Sequence, residues 1–244
     1  MSDFKHRVRP DWPLILDLVL NQSRELGPRG VVAFDLDSTV FDNRPRQARI
    51  VREYGKAKGL PALEGCTPEH FDSGWDLRGA LRKCGLAEAE VERLYPDYKR
   101  FWEERFFTSE YCAQDVAVRG APAYLKALAA TKVRVIYVTG RHEGMREGTL
   151  AAMRREGFPV PHDNVALLMK PSRDVDDDVF KRTAHGELRK IGALIAAFDN
   201  EPIHANDYRS TFPQAVVVHL ATDHSGRTLD LHEEVQSIPH FDRP

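Results

Sequence analysis

Short apolar runs punctuate an otherwise polar chain at 31–34, 132–138, 165–169 and 191–198. Runs of this length without polar alternation suit strands buried on both faces of a parallel sheet. Elsewhere the apolar positions recur at helical spacing. They do so at 11–26, where Leu14, Leu18, Val19 and Leu26 are expected to form a packing face, at 47–58 and 88–105, and in the stretch opened by Gly120-Ala121-Pro122, with Tyr124, Leu125 and Leu128. Strands alternating with helices after residue 119 predict an α/β protein with a Rossmann-like, doubly wound parallel sheet. The segment 43–118 breaks the alternation. It carries helical patterning between glycine and proline breaks and no convincing strand, and reads as a small all-helical cap inserted into a core of 1–42 and 119–244, with 1–27 as an N-terminal helical extension.

Three of the runs end in chemistry. The first closes in Asp35-Leu36-Asp37-Ser38-Thr39, two carboxylates one residue apart followed by a hydroxyl pair. The carboxyl end of a parallel strand is where open α/β sheets build ligand sites. Acids this close repel unless a divalent cation or a shared proton lies between them. One such aspartate can attack phosphorus while the other moves a proton, although Asp and Ser also make ordinary turns. The second run closes in Thr139-Gly140-Arg141, expected as a turn that holds an anion through a hydroxyl, backbone N–H groups and the start of a helix near His142. The third closes in Asp199-Asn200-Glu201, with Lys181 upstream after the helix-opening acids Asp176, Asp177 and Asp178.

Asp-x-Asp-x-Thr, Thr-Gly-Arg, a lysine and Asp-Asn, in that order, resemble the haloacid dehalogenase-like (HAD) phosphohydrolases. The resemblance covers 30–42 and 119–220. It implies Asp35 as nucleophile, Asp37 as general acid and base, Thr139 as phosphate ligand and Lys181 as the neutralising cation, with Gly140 and Arg141 beside the phosphate. It also implies Mg2+ held by the Asp35 carboxylate, the Asp37 backbone carbonyl and the Asp199 carboxylate. A cap after the first motif is, in that family, the element that selects substrate. The expected activity is therefore Mg2+-dependent hydrolysis of a phosphate monoester through an aspartyl phosphate. Lys170 competes with Lys181 for the third motif; Lys181 is preferred because its helix feeds the Asp199 strand. The family's second acid after the fourth motif is missing, since Asn200, Ile203 and His204 stand at its usual positions; Asn200, Glu201 and Asp207 are the candidates to complete the metal site. A second likeness, to the phosphatase half of polynucleotide kinase and 3′-phosphatase enzymes, rests on Val138-Thr139-Gly140-Arg141-His142-Glu143 and on 173–181. It admits a nucleic-acid 3′-phosphate, but a small phosphorylated substrate is the simpler expectation. The alternative class is a phosphoaspartate-forming signalling or binding module with little turnover.

Composition narrows this reading without changing it. At 244 residues, 42% hydrophobic, 30% charged and with a net charge of −2, the chain is globular in type and lacks a global basic footprint for nucleic acid. The apolar stretch 12–20 is interrupted by Asp17 and is too short to span a membrane, so no membrane partner is expected. Three cysteines fit a reducing cytoplasm. Cys66, Cys84 and Cys112, with His70 nearby, match no zinc spacing and read as free thiols. In the inserted segment Trp75, Arg78, Trp102 and Arg105 are candidates for substrate contact, although Trp102 and Phe106, four apart, suit a helix core. Arg44 and Arg46 are expected near a second phosphate or an acidic leaving group.

Overall fold

A computed structural model describes residues 4–227 and 229–242. Six parallel strands form the main sheet: β1 (Gly30–Phe34), β4 (Arg134–His142), β5 (Val165–Lys170), β6 (Ala193–Asp199), β7 (Val216–Leu220) and β8 (Gln236–Ile238), in the order β5-β4-β1-β6-β7-β8. All five residues of β1 are buried, as its unbroken apolar run requires, and Phe34 stacks on Phe198 of β6 at 4.6 Å. The chain winds outward from β1 to β4 and β5, then crosses to β6 and outward again. The carboxyl ends of β1 and β6 thus lie side by side where the winding reverses, the position at which such sheets bind ligands.

The chain divides into two compact units, 1–41 with 117–143 and 153–244, and 42–116 with 144–152. The first contains the sheet and its helices. The second is built from the helices Arg44–Lys58, Pro61–Glu64, Leu77–Lys83, Glu88–Phe106 and Ser109–Cys112 around Ile50, Val51, Tyr54, Leu81, Val91, Tyr98 and Trp102. Phe41–Asp42 (β2) and Val116–Ala117 (β3) make a two-stranded sheet, so 43–118 is not strand-free as expected; two residues are too few to leave a periodic signal. Among the described residues no helix is long and apolar enough to cross a membrane.

Several expectations need correction. The first α-helix, Pro13–Leu26, buries Leu16, Val19, Leu20 and Ser23 and leaves Leu14 and Leu18 exposed, at 64% and 47%. Apolar residues surround its first turns, so periodicity alone could not select the face. Ser23 can occupy the buried stripe because its hydroxyl donates to the Val19 carbonyl at 2.7 Å. Thr139-Gly140-Arg141 is strand, not turn: β4 runs on to His142, with Gly140 and Arg141 bulged between the Thr139–Met169 and His142–Lys170 pairs. Arg46 is fully buried, its Nε 3.2 Å from the equally buried Asp115 and its guanidinium over the Phe106 ring; it therefore belongs to the interior of the second unit. Trp102 is also interior, stacked on Phe106 and donating its indole N–H to Gln47, whereas Trp75 is exposed.

Two buried histidines make the sheet unit acid-sensitive. His185 packs on Tyr208 at 4.4 Å and shares a hydrogen bond with Thr211; His219 lies against Phe4 and the Asn200 carbonyl. Burial pushes both imidazoles from 6.5 down to about 4. Below pH 6.5 the unfolded chain therefore takes up protons that the native state resists, and stability present above that value is lost as pH falls towards 4. Unfolding free energy measured by urea denaturation is expected to fall by roughly 1 kcal/mol per pH unit for each histidine. In His185→Phe the slope should shrink by one proton; an unchanged slope would remove His185 from this account.

Candidate active site

Four strand-end segments converge in the sheet unit. Asp35 follows β1 directly, and its N–H donates to the Phe198 carbonyl at 2.9 Å, which ties it to β6. Asp199 ends β6, and the helix Asp177–Ile191 carries Lys181 to both. The Lys181 ammonium lies 2.9 Å from Asp35 Oδ1 and 2.7 Å from Asp199 Oδ2, and all three side chains are buried. The Thr39 hydroxyl is 3.2 Å from Asp35 Oδ2 and 3.0 Å from Asn200 Oδ1. A tight turn makes this possible: the Leu36 carbonyl accepts from the N–H groups of Thr39, Val40 and Phe41, with Ser38 in the left-handed region at φ 58°.

One cation does not offset two buried carboxylates. Burial, with Asp199 nearby, pushes the Asp35 carboxyl up to about 7 despite Lys181. Asp199, which burial alone would raise, is held well below the usual carboxylate range by Lys181 and His204. Lys181 is raised by its two carboxylates against the opposing effect of burial.

Asp37 faces a different partner. Arg141, itself buried, donates from Nε to Oδ2 at 2.9 Å and from a terminal nitrogen to Oδ1 at 2.8 Å, a fork that sets one carboxylate orientation. Thr139 is 1% exposed and accepts the Arg141 N–H on its hydroxyl oxygen at 3.2 Å. Between them a Cβ on Gly140 would lie 2.6 Å from an Asp177 carboxylate oxygen, so the position has no room for a side chain while Asp177 stays put. Asp177 is held there by Lys170, whose ammonium is 2.5 Å from Oδ1 and 2.7 Å from the Val175 carbonyl. The two lysines are thereby separated: Lys181 touches Asp35 and Asp199, Lys170 touches Asp177.

The candidates for a further metal ligand separate in the same way. Asn200 joins the cluster, its amide N–H donating to the Asp223 carbonyl. Glu201 is taken up by the Ser225 N–H and hydroxyl, both at 2.7 Å, and Asp207 by Arg182 at 3.4 Å. His204, which stands where the motif usually has an acid, lies on the first turn of Pro202–Thr211 and joins the cluster as a cation donor that the sequence did not assign. Its Nε2 lies 2.8 Å from Asp178 Oδ1 and its Nδ1 3.6 Å from Asp199, while Arg227 grips Asp178 at 2.7 and 3.2 Å. The available signal was a histidine five residues after a strand-ending acid, on the first turn of the next helix. Asp35, Asp199 and the Asn200 amide offer hard oxygen donors of surplus negative charge, a set that suits Mg2+ better than a softer metal.

No known family pattern matches the chain. Over 71 residues it is 34% identical to an anthranilate phosphoribosyltransferase of Sorangium cellulosum; that stretch is 29% of this chain and only 20% of the relative. Its backbone is similar to a HAD-superfamily hydrolase, subfamily IA, variant 1, of Geobacter sulfurreducens, with TM-score 0.55 and 14% identity, covering 88% of this chain and 94% of that one. It is also similar to Protein Tyrosine Kinase A of Mycobacterium tuberculosis, with TM-score 0.50 and 20% identity, covering 86% and 93%. The chain has the haloacid dehalogenase-like α/β fold. Proteins named as a hydrolase and as a kinase share it, so the reaction must be argued from the site.

Proposed function

We propose that this chain is a Mg2+-dependent phosphatase acting on small phosphate monoesters, with Asp35 as nucleophile. The observation that carries this reading is the Lys181 bridge between Asp35 and Asp199, with Asp37 two residues on in the grip of Arg141. Asp35 attacks phosphorus, the ester oxygen leaves with a proton from Asp37, and an aspartyl phosphate remains. Water then attacks that phosphorus, Asp37 takes its proton, and inorganic phosphate and free Asp35 result. Thr139, Gly140 and Arg141 bind phosphate oxygens, and Lys181 balances the charge that spreads over them. Asp35, the Asp37 carbonyl and Asp199, aided by Asn200, would hold Mg2+, which supplies charge neutralisation at the transferring group. The inserted segment 43–118 serves as the cap that selects substrate.

The test is phosphate release from aryl phosphate, sugar phosphates, nucleotides and a 3′-phosphorylated oligonucleotide, with Mg2+ or with chelator. Release that needs Mg2+ supports the reading and ranks the substrates. A stable phosphoaspartate without turnover would favour the signalling alternative instead. Asp37→Asn is expected to slow release from an alkyl phosphate by about 10²–10⁴-fold, and much less from an aryl phosphate whose leaving group needs no proton. Equal losses on both substrates would remove the acid role from Asp37.

A further inference from the structure

The second unit contains a constellation that the phosphatase reading does not use. Cys66, His70 and Cys84 each bring one donor atom to a common point, with all three atoms within 4.8 Å of one another. They come from three separate turns. Cys66 follows the short helix Pro61–Glu64, His70 closes the 3-10 turn Pro68–His70, and Cys84 caps the carboxyl end of Leu77–Lys83. Cys112 takes no part; its thiol lies by the carbonyls of Ser109 and Met145.

We infer that Cys66, His70 and Cys84 form a site for a borderline-soft divalent cation, Zn2+ foremost, that fastens 66–70 to the end of the Leu77–Lys83 helix. Two thiols and an imidazole are the donors such ions select over Mg2+. Zn–S and Zn–N bonds of about 2.3 and 2.0 Å in a tetrahedron set donors roughly 3.5–4 Å apart, so side-chain rotation within the cluster suffices to reach that geometry. On binding, each thiol gives its proton to water, and two thiolates with a neutral imidazole leave a complex of zero net charge, suited to a site where Cys66 is buried and His70 and Cys84 are half-buried.

The surroundings are prepared for it. Cys66 is 1% exposed and the Arg52 guanidinium donates to its carbonyl at 2.7 Å, placing positive charge beside the sulfur. The Thr67 N–H donates to His70 Nδ1 at 3.1 Å and its hydroxyl lies 3.0 Å from the same nitrogen, so binding a metal through Nε2 moves the ring proton to Nδ1, which then donates to the Thr67 hydroxyl. Independently, the Tyr98 hydroxyl is fully buried without a hydrogen-bond partner, in the cluster that holds Cys66 and packs against Cys84. A buried phenol left without a partner in that cluster is a polar group that a metal-bound water would satisfy.

The test uses the whole chain, stripped of metal, reduced by a phosphine under argon and titrated with Co2+. One equivalent is expected to give an intense near-ultraviolet sulfur-to-cobalt charge-transfer band, quenched by Zn2+, with two protons released per ion. Cys84→Ala should abolish the band. His70→Gln, a milder change, should weaken Co2+ binding more than 100-fold, because even the partners of metal ligands cost about 10–100-fold when removed. Asp35→Asn should leave the band unchanged, which separates this site from the Asp35–Asp199 cluster. Absence of a thiolate band in the reduced protein, or a full band in Cys84→Ala, overturns the proposal. So does a reduced protein that binds no Co2+ yet loses two hydrogens from Cys66 and Cys84 on oxidation, because the pair is then a redox couple.

Discussion

Asp35→Asn is expected to lower phosphate release by at least about 10⁴-fold, a loss of roughly 5 kcal/mol of transition-state stabilisation, while leaving the protein as stable as before or more so. The amide cannot attack phosphorus as a carboxylate does, and it weakens the hard-oxygen donor set shared with Asp199. Stability moves the other way because Asp35 and Asp199 lie buried on one ammonium, and burial already pushes Asp35 up to about 7. A neutral side chain removes the surplus charge and leaves Lys181 to Asp199. Phosphate release and thermal melting on the same preparation check both halves. Near-normal turnover would refute Asp35 as nucleophile, and a large fall in melting temperature would refute the electrostatic account of the cluster.

Lys181→Met should give the opposite pair of results in stability and the same one in activity. Methionine roughly fills the volume but leaves two buried carboxylates without their cation, a change that costs about 3–5 kcal/mol in comparable buried pairs. Asp35 already has a folded-state pKa above its ordinary value of 3.8. Its contribution to stability is therefore fullest below that value and declines as pH rises towards about 7. Without Lys181 the Asp35 carboxyl rises further and that decline continues to higher pH, so denaturant unfolding of Lys181→Met should show a wider gap from wild type at pH 8 than at pH 6. Added Mg2+ should recover part of the loss, since an ion bound only by the folded state stabilises it. A Lys181→Met protein as stable as wild type at both pH values would show that the ammonium does not hold the carboxylates together. The parallel substitution Lys170→Met is expected to be milder, because Asp177, its partner, is 55% exposed and can turn to water.

Much of the sheet was legible because a strand buried on both faces has to be a continuous apolar run, and its end is marked by the first charged residue. Gly30 to Phe34 followed by Asp35 needed no other information; the run at 191–198 marked the end of its strand but not the start, because Ile191 closes the preceding helix and β6 begins at Ala193. The run at 132–138 was legible as a strand but its end was not. Whether Thr139-Gly140-Arg141 turns away or bulges depends on the neighbouring strand, and β5 takes up the pairing again at Lys170, opposite His142. The first helix shows the opposite failure, with Leu14, Leu16, Leu18, Val19 and Leu20 all apolar; only contact with the sheet unit distinguishes the buried Leu16, Val19 and Leu20 from the exposed Leu14 and Leu18.

The sequence by itself determined the α/β class, the order of the chemistry-bearing segments and which residue types stand at the strand ends, because each is a property of neighbours along the chain. Pairings between distant segments were decided only by the tertiary structure. Lys181 rather than Lys170 meets Asp35, Arg141 grips Asp37, Arg46 is buried on Asp115, and Cys66, His70 and Cys84 gather at one point. These depend on strand order, helix rotation and side-chain direction to within an ångström or two, and residue spacing carries no record of them. A charge's partner in a folded chain is set by which groups share its low-dielectric surroundings, and that is settled when the segments pack.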